Sequence, residues 1–413
     1  MQFGFDVQIG TNNAIGPRAT KRVYLHEGDL YLLMEGVLML SLRELEPAVW
    51  SELQFWACEL GDKRRTDRLV KYARQMAEKR DASTPCQTES WADCKAANNM
   101  FKQSEVTFKS VMEVHYQRTR ELDRGTYLVL SDLTELTYGY KSQRKGLGRL
   151  TAKHHRGFFL HSALVVRAGD SEVIGLGAQE LFTRSLQKQK RVHRVNGWKR
   201  SNEAEVWGRV IDAVGSPEDG VHMIQVGDRG ADNFDVFAHA VYQHTGWVIR
   251  AAQLTRKLRQ TDGTIAKLGE LLDVSPLFGS YQVHIAADRK QKARWATEDV
   301  RVTKATLLRP RECSTAFVMD HEIREIETNV VEVREAEPPR GCTAVRWVLY
   351  TSEPATTFKS TVFSNHSIAC CMVLPATSDT YVCRRRLATS ISAELGYGVA
   401  LCQRLELLKL TSS

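Results

Sequence analysis

The sequence predicts an α/β protein with a helical N-terminal region and a β-rich insertion, and three observations lead to this prediction. Apolar residues recur at helical spacing from residue 62 to about residue 121. From residue 125 to about residue 251, short β-branched runs alternate with amphipathic segments, as in an α/β core. Residues 252 to about 343 carry short β-like runs amid mixed charges, so we expect a β-rich subdomain inserted into that core.

The composition is that of a globular protein with a polyanionic partner. Of the 413 residues, 43% are hydrophobic and 26% are charged, which allows several domains with a sizeable core. The 57 Lys and Arg exceed the 49 Asp and Glu, and the net charge of +8 favours a polyanion as partner. No apolar stretch reaches the ~20 residues that span a bilayer, and the N-terminus lacks a secretory pattern, so we expect a cytoplasmic protein without a membrane partner.

The first predicted helix begins after Asp62, which is placed to cap it. Its apolar positions are Leu69, Val70, Ala73, Met76 and Ala77. Its other face is basic and holds Lys63, Arg64, Arg65, Arg68, Lys71 and Arg74. Such a face is typical of a solvated surface or of a surface that meets a polyanion. Further helices are predicted near residues 89–101 and 106–121, whereas residues 1–45 show no period or motif.

The predicted elements of the α/β core follow in order. The strands are residues 126–131, 158–167, 172–178, 221–226 and 247–251, and the helices are residues 202–214 and 231–243. The first strand ends on Asp132, and the fourth ends at Gly227-Asp228. Two basic loops without acids, residues 141–156 and 184–200, flank the second and third strands. A last strand is predicted at residues 345–351.

Asp132 and Asp228 are the candidate catalytic residues, because each directly follows an apolar strand. Ligands and catalytic groups in open α/β sheets collect at the carboxyl ends of strands. Paired carboxylates at that edge can hold Mg²⁺, which prefers oxygen ligands, and two such ions can promote phosphoryl transfer on nucleic acids. The alternative for either residue alone is a helix cap or a turn former.

The surroundings of both aspartates resemble a known family. Asp132 begins the segment DLTELTY, and Asp228 lies in VGDRGAD; these segments resemble the first and second aspartate motifs of the IS4-family, Tn5-like DDE transposases. Further blocks resemble family segments in the family order, namely residues 59–69, 156–162, 205–207, 247–250 and 347–354. The resemblance covers roughly residues 50–354.

This resemblance implies an RNase H-like catalytic core with a helical N-terminal DNA-binding domain and a β-rich insertion. Asp132 would bridge two Mg²⁺ or Mn²⁺ ions, and Asp228 would bind one of them. The implied reaction is cut-and-paste transposition, in which a homodimer nicks double-stranded DNA at transposon ends, resolves a hairpin and joins the freed 3′ ends to target DNA. The implied domains are residues 1–45 (extension), 46–122 (DNA-binding), 123–251 (core), 252–343 (insertion), 344–354 (core strand) and 355–413 (tail).

The resemblance also suggests which basic residues contact DNA. Arg64, Arg65 and Arg68 are the expected positions for recognition of the transposon ends. Lys153, Arg156 and Arg250 are expected to lie nearer the cleaved strand. For each of these residues, an ordinary surface charge is the alternative.

The chain departs from the family pattern after Pro354. The family has a helix there that carries a Tyr, an Arg and the third catalytic carboxylate, whereas residues 355–413 hold 15 Ser or Thr and only three acids. Of these acids only Glu394 has a plausible position, and it lacks the family's Arg and Lys neighbours. We therefore expect a tail that is diverged or translated in a shifted frame, and a transposase that is defective in cleavage.

Two other functions are open on the sequence. The chain could be a DNA-binding remnant that occupies transposon ends without cutting them. It could also be an unrelated metal-dependent nuclease whose third carboxylate is Glu203 or Glu205, although a solvated or capping Glu is the more common role at a helix start.

Overall fold

The computed structural model describes residues 3–8, 20–25, 46–79, 82–140, 142, 146–184, 205–285, 293–310, 315–340 and 344–356. The chain divides into two units between Glu46 and Pro47. In the first unit, strands β1 (Phe3–Gln8) and β2 (Thr20–Leu25) pair antiparallel. The basic run at residues 185–200 and the tail at residues 357–413, with Glu394, lie outside the described residues.

The second unit begins with a helical region. Its helices are α1 (Pro47–Phe55), α2 (Lys63–Glu78), α3 (Thr84–Gln87), α4 (Trp91–Phe101) and α5 (Phe108–Arg120). The predicted cap of α2 is confirmed, because the Asp62 carboxylate accepts a hydrogen bond from the backbone N–H of Arg64 at 2.9 Å. Leu69, Ala73 and Met76 of α2 are buried, as their spacing predicts.

A large mixed sheet follows the helical region. Its strands are β3 (Gly125–Tyr140), β4 (Gly148–Arg149), β5 (His155–Arg167), β6 (Val173–Phe182), β7 (Val221–Gly227), β8 (Gly246–Arg250), β9 (Lys257–Arg259), β10 (Ile265–Lys267), β11 (Leu277–Ile285), β12 (Arg294–Leu308), β13 (Glu325–Glu335) and β14 (Arg346–Thr351). The order across the sheet is β10-β9-β12-β13-β14-β8-β7-β3-β5-β4, with β11 beside β12 and β6 beside β5. Together with the helical region, this sheet confirms the α/β class.

The middle of the sheet combines parallel and antiparallel pairs. β3, β7 and β8 run parallel to one another, with β7 between the other two. β5 lies antiparallel to β3 on its other side, and β6 lies antiparallel to β5. The carboxyl end of β7, at Gly227, therefore lies beside Ser131, in the middle of β3.

The first core strand is longer than the sequence predicts, and Asp132 does not end it. The parallel pairing of β3 with β7 stops at Ser131 opposite Gly227. The antiparallel pairing with β5 continues through Asp132 to Tyr140, so the backbone stays extended for eight more residues. β5 likewise begins at His155, so Arg156 lies on a strand rather than in the predicted loop.

The two faces of the central sheet differ. Helix α6 (Glu205–Val214) packs Val206 and Val210 against Val129 of β3, and helix α7 (Phe234–Tyr242) continues the same apolar layer. Side chains alternate between faces along a strand, so Asp132, three positions from Val129, lies on the opposite face.

Residues 252–343 contain β9 to β13 together with helices α8 (Leu268–Val274) and α9 (Ala316–Asp320). β13 pairs antiparallel with β14, which pairs antiparallel with β8, so these strands extend the sheet of the core. Among the helices in the described ranges, none is both long and apolar enough to cross a membrane.

Candidate active site and nucleic-acid interface

Five polar side chains lie side by side across the middle of the sheet, and we call them the polar row: Gln179, Ser162, Asp132, Asp228 and Arg250. Ser162 pairs with Gln179 across β5 and β6, and Asp132 pairs with Ser162 across β3 and β5. Asp132 and Asp228 directly follow Ser131 and Gly227, which pair in parallel register. Gly227 pairs with Ile249, so the residues that follow them, Asp228 and Arg250, lie side by side as well.

The polar row interrupts a face that is otherwise apolar. Two residues before Asp132 and Asp228, the same face carries Leu130 and Val226, which pair with each other. Along the neighbouring strands, Leu164 and Val248 are buried at 3% and 2% exposure.

The two aspartates form the centre of the row. Both side chains reach solvent, but the protein around the Asp132 carboxyl removes part of its hydration, and this loss raises its pKa. The charge of Asp228 adds to the rise. Asp132 Oδ1 accepts a hydrogen bond from the backbone N–H of Leu133 at 2.7 Å, and Asp228 Oδ1 accepts one from Gly230 at 2.7 Å. Asp228 thereby also caps the short 3₁₀ turn Arg229–Ala231, the turn-forming role that the sequence left open.

The donor chemistry of this centre suits a divalent cation. Within the described part of the chain, Oδ2 of Asp132 and Oδ2 of Asp228 accept no hydrogen bond and remain available as ligands. Hard oxygen ligands on one face fit Mg²⁺ or Mn²⁺. Over the same described ranges, however, His, Cys, Asp and Glu form no group of three that could hold a metal ion.

Glu205 does not join this centre, so its assignment as a third ligand is wrong. It begins α6, which packs on the face opposite Asp132, and its carboxylate lies 3.9 Å from Arg209. Its charge acts on Asp235 and raises the pKa of that carboxyl, after the larger effect of burial. Glu203 lies outside the described residues.

The turn that carries Asp228 rests on a buried aromatic contact that the sequence did not reveal as functional. A Cβ on Gly230 would lie 3.1 Å from the Trp207 ring and 3.0 Å from Asp228 Oδ1, so a larger residue would have to push the Asp228 carboxylate or the ring aside. The Trp207 ring also meets the His161 ring edge-on, with 4.3 Å between the ring centroids. His161 is fully buried, and burial lowers its pKa to about 4, so its ring is neutral.

A second carboxylate of the same motif, Asp232, is buried and connects the core to the insertion. The Asp232 side chain has no exposed surface and lies 2.6 Å from Arg256 Nη2. It also accepts a hydrogen bond from the backbone N–H of Ala252 at 2.6 Å. Asp232 therefore fixes the start of the insertion beside the Asp228 turn, a role that its place in the motif did not reveal.

Arg250 ends the polar row on the side of the insertion. Its guanidinium lies 3.6 Å from the centroid of the Trp347 ring, a cation–π contact. Burial lowers the pKa of Arg250, the neighbouring Arg229 lowers it further, and Asp228 opposes both effects. Two cations thus lie beside Asp228, where they can meet a phosphate.

The predicted DNA-contact residues of α2 are engaged in ion pairs. Arg64 contacts Asp62 at 2.9 Å but remains 90% exposed. Arg65 contacts Glu105 at 3.0 Å, and Arg68 contacts Asp93 at 2.7 Å. The basic face is therefore partly neutralised by acids of the same helical region, and its contact with DNA would exchange these carboxylates for phosphates.

Lys153 and Arg156 lie at the tip of the β4–β5 hairpin. Arg156 pairs across the hairpin with Arg149, so two like charges face each other. Lys153 is exposed in the connecting turn beside His154, whose φ is 65°. Such a concentration of cations is unfavourable alone and is relieved by a polyanion.

Comparison with known families identifies the helical region. Residues 47–106 match the family model described as transposase DNA-binding. The matched segment contains α1 to α4 and includes Arg64, Arg65 and Arg68. This match supports a transposase with DNA as its partner.

Proposed function

We propose that this chain is a cut-and-paste DDE transposase of the IS4-family, Tn5-like kind, which binds transposon ends and holds divalent cations at Asp132 and Asp228. The observation that carries the proposal is the placement of these two carboxylates side by side, directly after the last parallel pair of β3 and β7, Ser131 and Gly227. The transposase DNA-binding match of residues 47–106 supports DNA as the partner.

The strand order supports an RNase H-like core. The five central strands follow the order β6-β5-β3-β7-β8, with β5 antiparallel to its neighbours and β3, β7 and β8 parallel. This order agrees with the fold that the resemblance implies. It also explains why Asp132, on β3, lies beside Asp228, although strands β4, β5 and β6 and helix α6 come between them in the sequence.

The chain's own residues provide binding and orientation at this site. Asp132 and Asp228 offer carboxylate oxygens on one face, and Arg229 and Arg250 lie beside Asp228 to neutralise a DNA phosphate. Divalent cations, when bound, supply activation of the attacking oxygen and stabilisation of the leaving oxygen. The Trp207 ring beneath Gly230 keeps the Asp228 turn in one position.

We further propose that strand cleavage by this chain is defective. The family scheme needs a third carboxylate, and none of the acids after Pro354 stands in the family's sequence context. Two carboxylates hold a cation more weakly and place it less accurately, and an error near 1 Å can cost about 100-fold in rate.

A chain that binds ends without cutting them is the second candidate function. The family match lies entirely in residues 47–106, so the segment that supports DNA binding does not depend on the tail. Such a protein would occupy transposon ends and compete with an intact transposase.

Cation binding tests the proposed site directly. We expect Mn²⁺, followed by electron paramagnetic resonance with the full chain, to bind at least about 10-fold more weakly to Asp132→Asn and Asp228→Asn. Asp273→Asn, at an exposed carboxylate of the insertion, is the matched control and should bind Mn²⁺ as the unmodified chain does. Equal affinity for all four proteins would refute the site.

A further inference from the structure

Helix α9 of the insertion is attached to helix α7 of the core by an aromatic stack. The Phe317 ring of α9 lies almost parallel to the His239 ring of α7, at 15° and with 3.5 Å between the ring centroids. Tyr242, at the end of α7, meets the Phe317 ring edge-on at 5.4 Å. Thr315, which caps α9, donates its hydroxyl hydrogen to Oδ1 of Asp235 on α7. The start of α9 is therefore held on α7 by two neighbouring contacts.

The His239 ring of this stack is buried between two carboxylates. Its side chain is 5% exposed, with Nδ1 2.9 Å from Oδ2 of Asp212 on α6 and Nε2 3.6 Å from Oδ2 of Asp235. Helix α6 passes so close that a Cβ on Gly208 would lie 2.3 Å from Cδ2 of His239, so glycine leaves room for the ring. Ionised carboxylates carry no hydrogen to donate, and a neutral imidazole carries just one N–H. Two ring nitrogens that both face carboxylate oxygens therefore favour the doubly protonated imidazolium.

The burial of Asp235 also favours a charged His239 ring. The Asp235 side chain is 3% exposed, and within the described ranges His239 is the one basic side chain within 4 Å of it. Burial raises the pKa of Asp235, whereas the hydrogen bond from Thr315 and the charge of His239 lower it. A buried carboxylate is costly unless a cation pairs with it. A positive His239 ring supplies this cation, and a cation over an aromatic face is also attracted to the Phe317 ring.

The other charged groups of the elements packed around the pair do not replace this cation. Glu205 and Arg209 of α6 both act on Asp235, but their opposite charges lie 3.9 Å from each other. His321, directly after α9, contacts the aromatic stack with 4.2 Å between ring centroids. The charged residue of β8 is Arg250, which lies in the polar row on the opposite face of the sheet.

We propose that His239 is a proton-dependent latch, which as an imidazolium between Asp212 and Asp235 holds α9 of the insertion on α7 of the core. When the ring loses its proton, Asp235 remains buried without a cation, and the contact between α9 and α7 weakens. The insertion is therefore held more firmly at the lower pH, at which the ring is protonated. The latch lies outside the proposed cation site and does not depend on it.

Hydrogen exchange of the full chain tests the latch, because several backbone N–H groups are hydrogen-bonded within the α9 segment, those of Met319, His321 and Ile323 among them. Protection factors remove the intrinsic effect of pH on exchange. For these groups we expect protection to fall at least about 10-fold from about pH 5 to about pH 8, on either side of the titration of an ordinary histidine.

Two variants separate the proton from the packing. His239→Gln cannot take up a proton, so α9 should show the lower protection at both pH values. Asp235→Asn keeps an oxygen that can accept from Thr315 but carries no charge to compensate, so α9 should stay protected at both pH values. His284→Gln is the matched control, because His284 lies on β11 of the insertion against the Trp295 ring, and it should behave as the unmodified chain does.

Constant protection of α9 across this pH range in the unmodified chain would overturn the latch. A pH dependence that survives in His239→Gln or in Asp235→Asn would overturn it as well. So would full protection in His239→Gln, because the contact would then not need the ring.

Discussion

Replacement of His115 by Gln should flatten the dependence of stability on pH. Burial lowers the pKa of His115 to about 4 in the folded chain, against about 6.5 for an unfolded histidine. Its ring is therefore neutral in the native state, donating from Nδ1 to Gln54 and accepting at Nε2 from Leu176. Gln at this position keeps one donor and one acceptor but cannot take up a proton.

The magnitude follows from proton linkage. Between pH 6.5 and pH 4 the unfolded histidine is protonated and the folded one is not, so the unfolded state gains protons as the pH falls. The free energy of unfolding then decreases by up to about 1.4 kcal/mol per pH unit for each such histidine, which amounts to about 2 kcal/mol from pH 6.5 to pH 4.5 because the unfolded ring is only half protonated at pH 6.5. The contribution of His115 is fully present above pH 6.5 and is lost towards pH 4. Burial also lowers the pKa of His161 to about 4, so His115→Gln should remove about half of the combined slope.

The assay is urea unfolding of the full chain, followed by tryptophan fluorescence from pH 4.5 to pH 7.5. If the curves of unfolding free energy against pH are parallel for His115→Gln and the unmodified chain, His115 is not a neutral ring held by two hydrogen bonds, and the reasoning is refuted.

Two substitutions near the proposed contacts give further predictions. Asp93→Asn removes the carboxylate that pairs with two cations of α2, so DNA should bind more tightly when binding is followed by fluorescence anisotropy. The slope of log K against log salt concentration should also steepen by about one. An unchanged slope would place these cations away from DNA. Gly230→Ala puts a Cβ 3.0 Å from Asp228 Oδ1, so Mn²⁺ affinity should fall, whereas Gly169→Ala, with nothing within 4 Å, should have no effect; equal losses in both would contradict a tightly packed turn.

The helical region was the most predictable part of the fold, because its signals are local. The cap Asp62 and the apolar positions of α2 lie within one segment, and both agree with the structure. The ion pairs of Arg65 and Arg68 were not predictable, since their partners Glu105 and Asp93 come from other segments whose packing the sequence does not reveal.

The centre of the site was accessible from sequence, but its surroundings were not. Apolar runs before Asp132 and Asp228 predict two strand ends, and a parallel pair brings such ends together. Ser162 and Gln179 join them only through the register of β5 and β6, which includes irregularities that no local pattern indicates. The predicted end of the first core strand was wrong, because the alternation of polar residues after Asp132 suits both a loop and an exposed strand edge.

The measurement that tests the central claim most directly combines DNA binding with cleavage. The full chain, and Asp132→Ala beside it, would be incubated with a labelled duplex carrying the ends of the encoding element, in Mg²⁺ or Mn²⁺ and over a range of salt. A DNA-binding transposase that is defective in cleavage predicts binding that weakens steeply with salt and no cut strands from either protein. Metal-dependent nicking that disappears in Asp132→Ala would contradict the proposed defect in cleavage and require a third ligand in this chain. The absence of salt-sensitive binding would contradict the DNA-binding function itself.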